Sequence, residues 1–131
     1  NRKNKAFHYE AENEEQIKVQ IDANPEIGGE GAGVRPMQLV LMGLAGCASI
    51  DLGLILKKQR QVLVDYQVEA TATRHEEPPK AFKTIHLHFI LKGTLDPEKV
   101  EKAIDLTLNK YCSVALSLNN EITIKTTYTI N

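Results

Sequence analysis

The feature that most constrains this chain is an apolar segment that follows Pro36. Proline suits the first turn of a helix because its fixed φ and missing N–H cost nothing there, and the helix can run to about Arg60. At 1.5 Å per residue it would be about 36 Å long. A helix that is apolar on every side has no face for water and must be surrounded. The large apolar residues that cover all sides are Leu39, Val40, Leu41, Met42, Leu44, Ile50, Leu52, Leu54, Ile55 and Leu56.

A chain of 131 residues has few elements with which to wrap such a helix. Gly43, Gly46 and Gly53 carry no side chains there, so another backbone can come close. We therefore expect a second copy of the protein to cover the helix, which predicts a homodimer. The uncharged run, residues 36–50, is shorter than the roughly 18 residues of a bilayer span, so we expect no membrane partner.

The composition predicts one globular domain that spans residues 1–131. A hydrophobic fraction of 42% and a charged fraction of 25% are ordinary for a soluble protein. The formal net charge of -1 produces no long-range field that would attract nucleic acid, so we expect no nucleic-acid partner. Residues 1–15 contain no apolar run of the secretory kind, which predicts a cytoplasmic protein.

Strand and helix patterns alternate along the rest of the chain. Residues 6–11 and 17–21 predict an opening hairpin, and residues 62–73 and 84–91 predict a second antiparallel hairpin. Val62, Val64 and the even-numbered residues after them should share the buried face of the first of these strands. Asp96 and Pro97 predict a helix start, and residues 122–130 predict a closing strand. The order is β-β-α-β-β-α-β, which indicates an α+β fold with antiparallel sheets.

The second helix has one apolar stripe and should lie on a sheet. This stripe is predicted to include the second of two cysteines, Cys112. Its members are Val100, Ala103, Ile104, Thr107, Leu108, Tyr111, Cys112 and Ala115.

The sequence lacks the motifs that are typical of several common kinds of active or binding site. The glycine-rich residues 24–33 are not followed by the Gly-Lys-Ser/Thr of a phosphate loop, so we expect no nucleotide cofactor. His86 and His88 share a strand face but no further ligand at diagnostic spacing joins them, so we interpret them as solvent-facing and expect no metal. Ser49 lies within a helix rather than in the strained turn that a nucleophilic serine occupies.

The two cysteines, Cys47 and Cys112, are far apart in the sequence. Their spacing excludes a CxxC redox pair and a zinc cluster built on cysteine pairs. One interpretation is that both are free thiols packed as small hydrophobic residues. The other is that Cys47 is reactive, although Asp51, one helical turn away, should oppose its ionisation. Lowering the pKa of a thiol by two units takes about 2.7 kcal/mol, which one poorly solvated arginine could supply.

Arg35 is the candidate cation. It precedes Cys47 by twelve residues of predicted helix, about 18 Å, which is longer than its side chain. It would reach the thiol only if the helix begins later or bends, or if the arginine of a partner subunit approaches. Otherwise we expect an exposed Arg35 that pairs with Glu26 or Glu30.

Together these segments resemble the OsmC/Ohr family, specifically its small OsmC-like branch. The resemblance runs from Phe7 to Ile130 and rests on VRPMQLVLMGLAGCASIDLGLILKKQR, the glycine-rich loop before it and KYCSVALSL in the second helix. It implies an intertwined homodimer with long buried central helices between sheets. It also implies thiol-dependent reduction of organic or inorganic hydroperoxides, with an external dithiol as reductant.

The resemblance assigns roles to individual residues. Cys47 matches the peroxidatic cysteine and Cys112 the resolving cysteine, while Arg35 is our candidate for the activating arginine. Active members carry a glutamate just after the proline that helps to hold this arginine, and Met37 stands there in this chain, followed by Gln38. The alternative is a non-catalytic member of the family that binds a small apolar or electrophilic molecule near Cys47.

Overall fold

Helices and strands follow one another in nearly the predicted order. The structure is a computed structural model that describes all 131 residues, and it divides into two compact units, Asn1–Leu41 and Met42–Asn131. The boundary between the units falls within the first helix. The elements are β1 (Tyr9–Glu12), β2 (Lys18–Ile21), α1 (Pro36–Lys58), β3 (Val62–Arg74), β4 (Phe82–Thr94), α2 (Pro97–Leu106), α3 (Ser113–Ser117) and β5 (Thr123–Ile130).

The first unit is an antiparallel hairpin of β1 and β2 followed by the glycine-rich loop. Asp22, buried at the end of β2, organises this loop because its carboxylate accepts hydrogen bonds from the backbone N–H groups of Ala23, Glu30 and Ala32. Burial raises the pKa of Asp22, but these donors together outweigh burial and leave the pKa below its ordinary value. The loop also contains one turn of 3₁₀ helix, Pro25–Ile27, which the sequence did not predict.

Helix α1 is 23 residues long and buries only one stripe within a single chain. A residue of that stripe occurs at every fourth position, whereas the residues Met42, Ile50 and Leu54 are more than half exposed. The expectation of a helix surrounded on all sides is therefore not met by one chain alone. By length and composition α1 could cross a bilayer, a criterion that the core helices of soluble proteins also meet. The buried stripe consists of Leu44, Ala48, Leu52 and Leu56.

The second unit contains a three-stranded sheet in the order β3-β4-β5. Strands β3 and β4 are antiparallel, as predicted, but β4 and β5 are parallel. The prediction of antiparallel sheets is wrong for this pair because α2 and α3 form a crossover that returns the chain in its original direction. The inward face of β4 carries the centre of the core, as predicted: Ile85, Leu87, Phe89 and Leu91 are fully buried.

A bulge in β3 changes which residues face the core. The register between β3 and β4 shifts between Leu63 and Asp65, opposite Gly93, and leaves Val64 without a partner. As a result Val62 and Val64 are exposed, and burial alternates as expected only from Tyr66 onward. The predicted continuous alternation is therefore wrong at the start of the strand, because the extra residue reverses the side-chain direction.

Tyr66 connects the sheet to α1. Its hydroxyl donates a hydrogen bond of 2.9 Å to the backbone carbonyl of Ser49. A Cβ atom on Gly53 would lie 2.7 Å from this hydroxyl oxygen, so the glycine makes room for the contact. Gly53 thus serves packing within one chain, whereas Gly43 and Gly46 have open space where a Cβ would lie.

Candidate thiol site

Cys47 lies on α1 beside the buried stripe and is half-buried. Asp51, one turn later on the same face, has a carboxylate oxygen 3.8 Å from the Cys47 sulfur, which the thiol approaches as a donor. The hydroxyl oxygen of Ser113 also lies 3.8 Å from this sulfur. The sulfur is therefore close both to a carboxylate of its own helix and to the start of α3.

Cys112 reaches the site because the second helix is interrupted. The predicted continuous helix ends as α2, capped by Asp96 at its start, and continues as a π-helical segment, Thr107–Tyr111. Cys112 is extended and forms the N-cap of α3, where its sulfur accepts from the backbone N–H of Ala115 at 3.4 Å. The wider π turn rotates the chain, so Cys112 is fully buried as predicted while Tyr111 is about half exposed, contrary to the prediction.

The structure brings the two thiols together. The sulfur atoms of Cys47 and Cys112 and a carboxylate oxygen of Asp51 all lie within 4.8 Å of one another, and both cysteines are free thiols. Residues 65 positions apart in the sequence thus meet between α1 and the turn before α3. Both cysteines are free thiols, as the first interpretation predicts, but they lie next to each other.

The two thiols differ in acidity. Burial raises the pKa of Cys47, but the backbone N–H of Val114, the Cys112 thiol and the Ser113 hydroxyl all donate to its sulfur and bring the pKa below its ordinary value, even though Asp51 raises it. Hydrogen bonds to a sulfur favour the thiolate because they stabilise its charge. The sequence could not reveal these donors, since they follow from where α3 begins.

Burial, together with the neighbouring Cys47 and Asp51, raises the pKa of Cys112 to about 11, even though the N–H of Ala115 lowers it. At neutral pH Cys112 is therefore a protonated thiol that donates to Cys47. The site contains one thiol prepared to ionise and a second that stays neutral beside it.

Arg35 is exposed and immediately precedes the first residue of α1. Arg35 would come closer to Cys47 if the helix began later, but α1 begins at Pro36. The two residues are therefore separated by about 18 Å along the helix. Arg35 pairs with neither predicted acid: Glu30 accepts from Asn4 instead, and the ion pairs of the chain join Lys3 and Lys18 to acids of β1.

The backbone N–H of Arg35 donates 2.9 Å to the side chain of Gln38, which caps the start of α1. No cation is among the groups that act on the pKa of Cys47. The role predicted for Arg35 stays a prediction.

The histidine pair and Ser49, which were considered as possible sites, are held by ordinary hydrogen bonds. His86 and His88 both form hydrogen bonds of 2.7 Å with the hydroxyl of Thr127, on the outer face of the sheet. Ser49 donates to the carbonyl of Ala45, as an ordinary helical serine does. Neither arrangement contains a nucleophile with an adjacent base.

Asp51 is one of the residues that line a cleft beside the site. Lys58, Lys102 and Tyr111 are among its lining residues. No sequence pattern indicated these two lysines. Ser113 belongs to the KYCSVALSL segment that carried the resemblance to the family, but no role was predicted for it. The position of Ser113 directly after Cys112 was the available signal.

The fold and the site define a mixed α+β protein whose two cysteines form a close thiol pair. A sequence model described as "OsmC-like protein" matches residues 29–127. The chain belongs to this family.

Three relatives illustrate the similarity. Protein YhfA of Escherichia coli K12 is 46% identical over 96 residues, which cover 72% of each protein. A solved structure described only as "structural genomics" is 35% identical, with a TM-score of 0.86, over 98% of this chain and 94% of the other. An organic hydroperoxide resistance protein OsmC from Legionella pneumophila shares the fold at 20% identity, with a TM-score of 0.73 and coverage of 97% and 99%.

Proposed function

We propose that the protein is a thiol-dependent peroxidase that reduces organic hydroperoxides through Cys47 and Cys112. The observation that carries the proposal is the pairing of a thiol of lowered pKa with a neutral thiol, their sulfur atoms within 4.8 Å. A neighbour of the same fold is named an organic hydroperoxide resistance protein, which suggests the substrate class.

The proposed reaction has three steps. The Cys47 thiolate attacks the outer peroxide oxygen of ROOH, the O–O bond breaks, and Cys47 becomes a sulfenic acid while RO⁻ takes a proton and leaves as ROH. The Cys112 sulfur then displaces the hydroxyl of the sulfenic acid, which forms a disulfide and releases water. An external dithiol reduces this disulfide by exchange and is itself oxidised to a disulfide.

The difference in acidity supports this assignment of roles. The attacking sulfur must be ionised, and Cys47 is the thiol with hydrogen-bond donors at its sulfur. Cys112 is protected from direct oxidation because it is buried and protonated. A thiol of this kind reacts only when a sulfenic acid forms next to it.

We further propose that the protein acts as a homodimer. The exposed apolar residues of α1, Met42, Ile50 and Leu54, are those that a second copy would cover. In such a dimer the arginine that assists Cys47 would come from the partner subunit, because Arg35 is distant along its own helix. This would supply the cation that a single chain does not offer.

Rapid mixing of the reduced protein with cumene hydroperoxide tests the function. We expect loss of thiol faster than for free cysteine, followed by one Cys47–Cys112 disulfide per chain in peptide mass spectra. In Cys112→Ser the first step should persist and leave a sulfenic acid at Cys47 that dimedone traps. A rate no higher than that of free cysteine, with no crosslink, contradicts the proposal.

The rival function is binding of a small apolar or electrophilic molecule near Cys47 without peroxide turnover. Met37 in the place of the family's glutamate favours it, as does the lack of a cation near the thiol in one chain. The same experiment separates the two functions. A binding protein would form an adduct with an electrophile at Cys47 but no disulfide with the peroxide.

A further inference from the structure

The two thiols and Asp51 form a set of three metal-ligand atoms. Two sulfurs and one carboxylate oxygen lie within 4.8 Å of one another, and the distance from the Cys47 sulfur to the Asp51 oxygen is 3.8 Å. In a tetrahedral zinc site with Zn–S of about 2.3 Å and Zn–O of about 2.0 Å, adjacent ligand atoms are about 3.5 to 3.8 Å apart. Small side-chain movements would bring all three atoms to bonding distance from one ion.

We propose that the reduced protein binds one Zn²⁺ through Cys47, Cys112 and Asp51. Binding replaces the two thiol protons, so two protons leave for each ion bound. The fourth position of the tetrahedron belongs to water. This site does not depend on the peroxidase reaction, since it requires only the reduced thiols and the carboxylate.

The donor set selects the metal. Two thiolates with one carboxylate suit Zn²⁺, whereas Mg²⁺ and Ca²⁺ prefer sites built from oxygen alone. Of the three ligands, Cys112 is fully buried and Cys47 and Asp51 are half-buried. Three ligands with one open position are the arrangement of an exchangeable or reactive zinc rather than of a closed structural site.

The surroundings of the sulfur atoms also suit thiolate ligands. The N–H groups of Val114 and Ala115 point at the sulfurs of Cys47 and Cys112, and such outer hydrogen bonds orient metal-bound thiolates. Zn²⁺ with two thiolates and one carboxylate has a net charge of -1. Lys58 and Lys102 line a cleft that Asp51 also lines.

Metal binding and oxidation exclude each other because both use the same sulfur electrons. A zinc dithiolate that reacts with ROOH and two protons yields the disulfide, Zn²⁺, ROH and water. The bound ion should therefore slow the reaction with peroxide, and oxidation should release the ion. The pair would act as a redox-dependent zinc site.

Titration of the reduced protein with Co²⁺, a coloured substitute for Zn²⁺, tests the proposal. We expect one Co²⁺ per chain with a sulfur-to-cobalt charge-transfer band, and its loss when Zn²⁺ is added. Cys112→Ser should abolish the band, and Asp51→Asn should weaken binding by at least about tenfold. Asp65→Asn, which changes an exposed acid on β3, is the matched control and should leave binding unchanged.

The outcomes separate this site from the peroxidase. No charge-transfer band, or a band that survives Cys112→Ser, overturns the zinc site whatever the protein does with cumene hydroperoxide. A band with the expected pattern in a protein that forms no disulfide with the peroxide supports the zinc site and contradicts the proposed function. Equal binding by Asp51→Asn and the wild type removes Asp51 from the ligand set.

Discussion

The acidity of Cys47 is set by a balance of groups that touch its sulfur. Burial and Asp51 raise the pKa, whereas the N–H of Val114 and the thiol and hydroxyl groups of Cys112 and Ser113 lower it more. Asp51 acts in two ways, since its charge repels the thiolate and its oxygen accepts from the thiol. Both effects favour the neutral form of Cys47.

Asp51→Asn should therefore make Cys47 more reactive. Removing the negative charge lowers the pKa of Cys47 further, so more thiolate is present at neutral pH and alkylation by iodoacetamide is faster. Ser113→Ala removes a donor and should slow alkylation by a smaller factor. The rate at Cys47, followed against pH by peptide mass spectrometry, measures both changes. Slower alkylation of Asp51→Asn would contradict this account of the carboxylate.

The same pH series also measures the second thiol. A thiol is alkylated as the pH rises through its pKa, so alkylation of Cys47 should reach half its maximum at a pH below the ordinary pKa of cysteine. Cys112 should remain protected until the pH approaches about 11. Equal pH profiles at the two cysteines would contradict the division of roles. A Cys47→Ser variant isolates the signal of Cys112.

At the scale of elements, contact between α1 and β3 depends on one glycine and one tyrosine. The Tyr66 hydroxyl donates to the carbonyl of Ser49, and the space it needs exists because position 53 lacks a Cβ. Glycine within a helix costs about 1 kcal/mol relative to alanine, so this contact has to compensate for that cost.

Gly53→Ala should lower the free energy of unfolding by about 1 to 2 kcal/mol, because displacement of Tyr66 outweighs the better helix propensity. In a Tyr66→Phe background the hydroxyl is gone and the nearest ring atom, Cζ, lies 3.5 Å from the new Cβ, an ordinary contact. There the same substitution should stabilise the protein by up to about 1 kcal/mol. Urea unfolding of the four proteins measures the difference. Identical effects in both backgrounds would show that the contact does not matter.

For the whole molecule, the exposed face of α1 is the feature that a single chain leaves unexplained. Only 22% of its most apolar 18-residue window is buried, and Ile50 is 64% exposed. Contiguous exposed apolar patches mark interaction surfaces. In a symmetric dimer the same residue would occur twice in the interface, which doubles the effect of a substitution.

Ile50→Glu should raise the dissociation constant of the proposed dimer at least about a hundredfold, because two apolar contacts of roughly 1.5 kcal/mol or more are lost. Sedimentation velocity over a range of concentrations measures this shift. Ile27→Glu is the control, since Ile27 is similarly exposed, at 69%, but lies outside the helix. A wild-type protein that sediments as a monomer at all concentrations would contradict the dimer.

Local pattern was sufficient to predict the elements. The position of Pro36 located the start of α1, Asp96 with Pro97 located the start of α2, and alternation identified β4 and its buried face. The structure confirms these predictions. They could be made from the sequence because each depends on residues that are close together in the chain. The resemblance to the OsmC family, carried by the segment around Cys47, is confirmed by the family match.

Tertiary structure decided the rest. The parallel pairing of β5, the bulge at Val64 and the interruption before Cys112 depend on contacts between distant segments, and the sequence has no local signal for them. The sequence by itself determined that Cys47 lies in an apolar helix and that Cys112 is buried. The family resemblance implied that the two thiols meet, and the fold shows it. That one thiol has a lower pKa than the other followed only from the fold, because α3 brings its backbone N–H groups to sulfur atoms on two different segments.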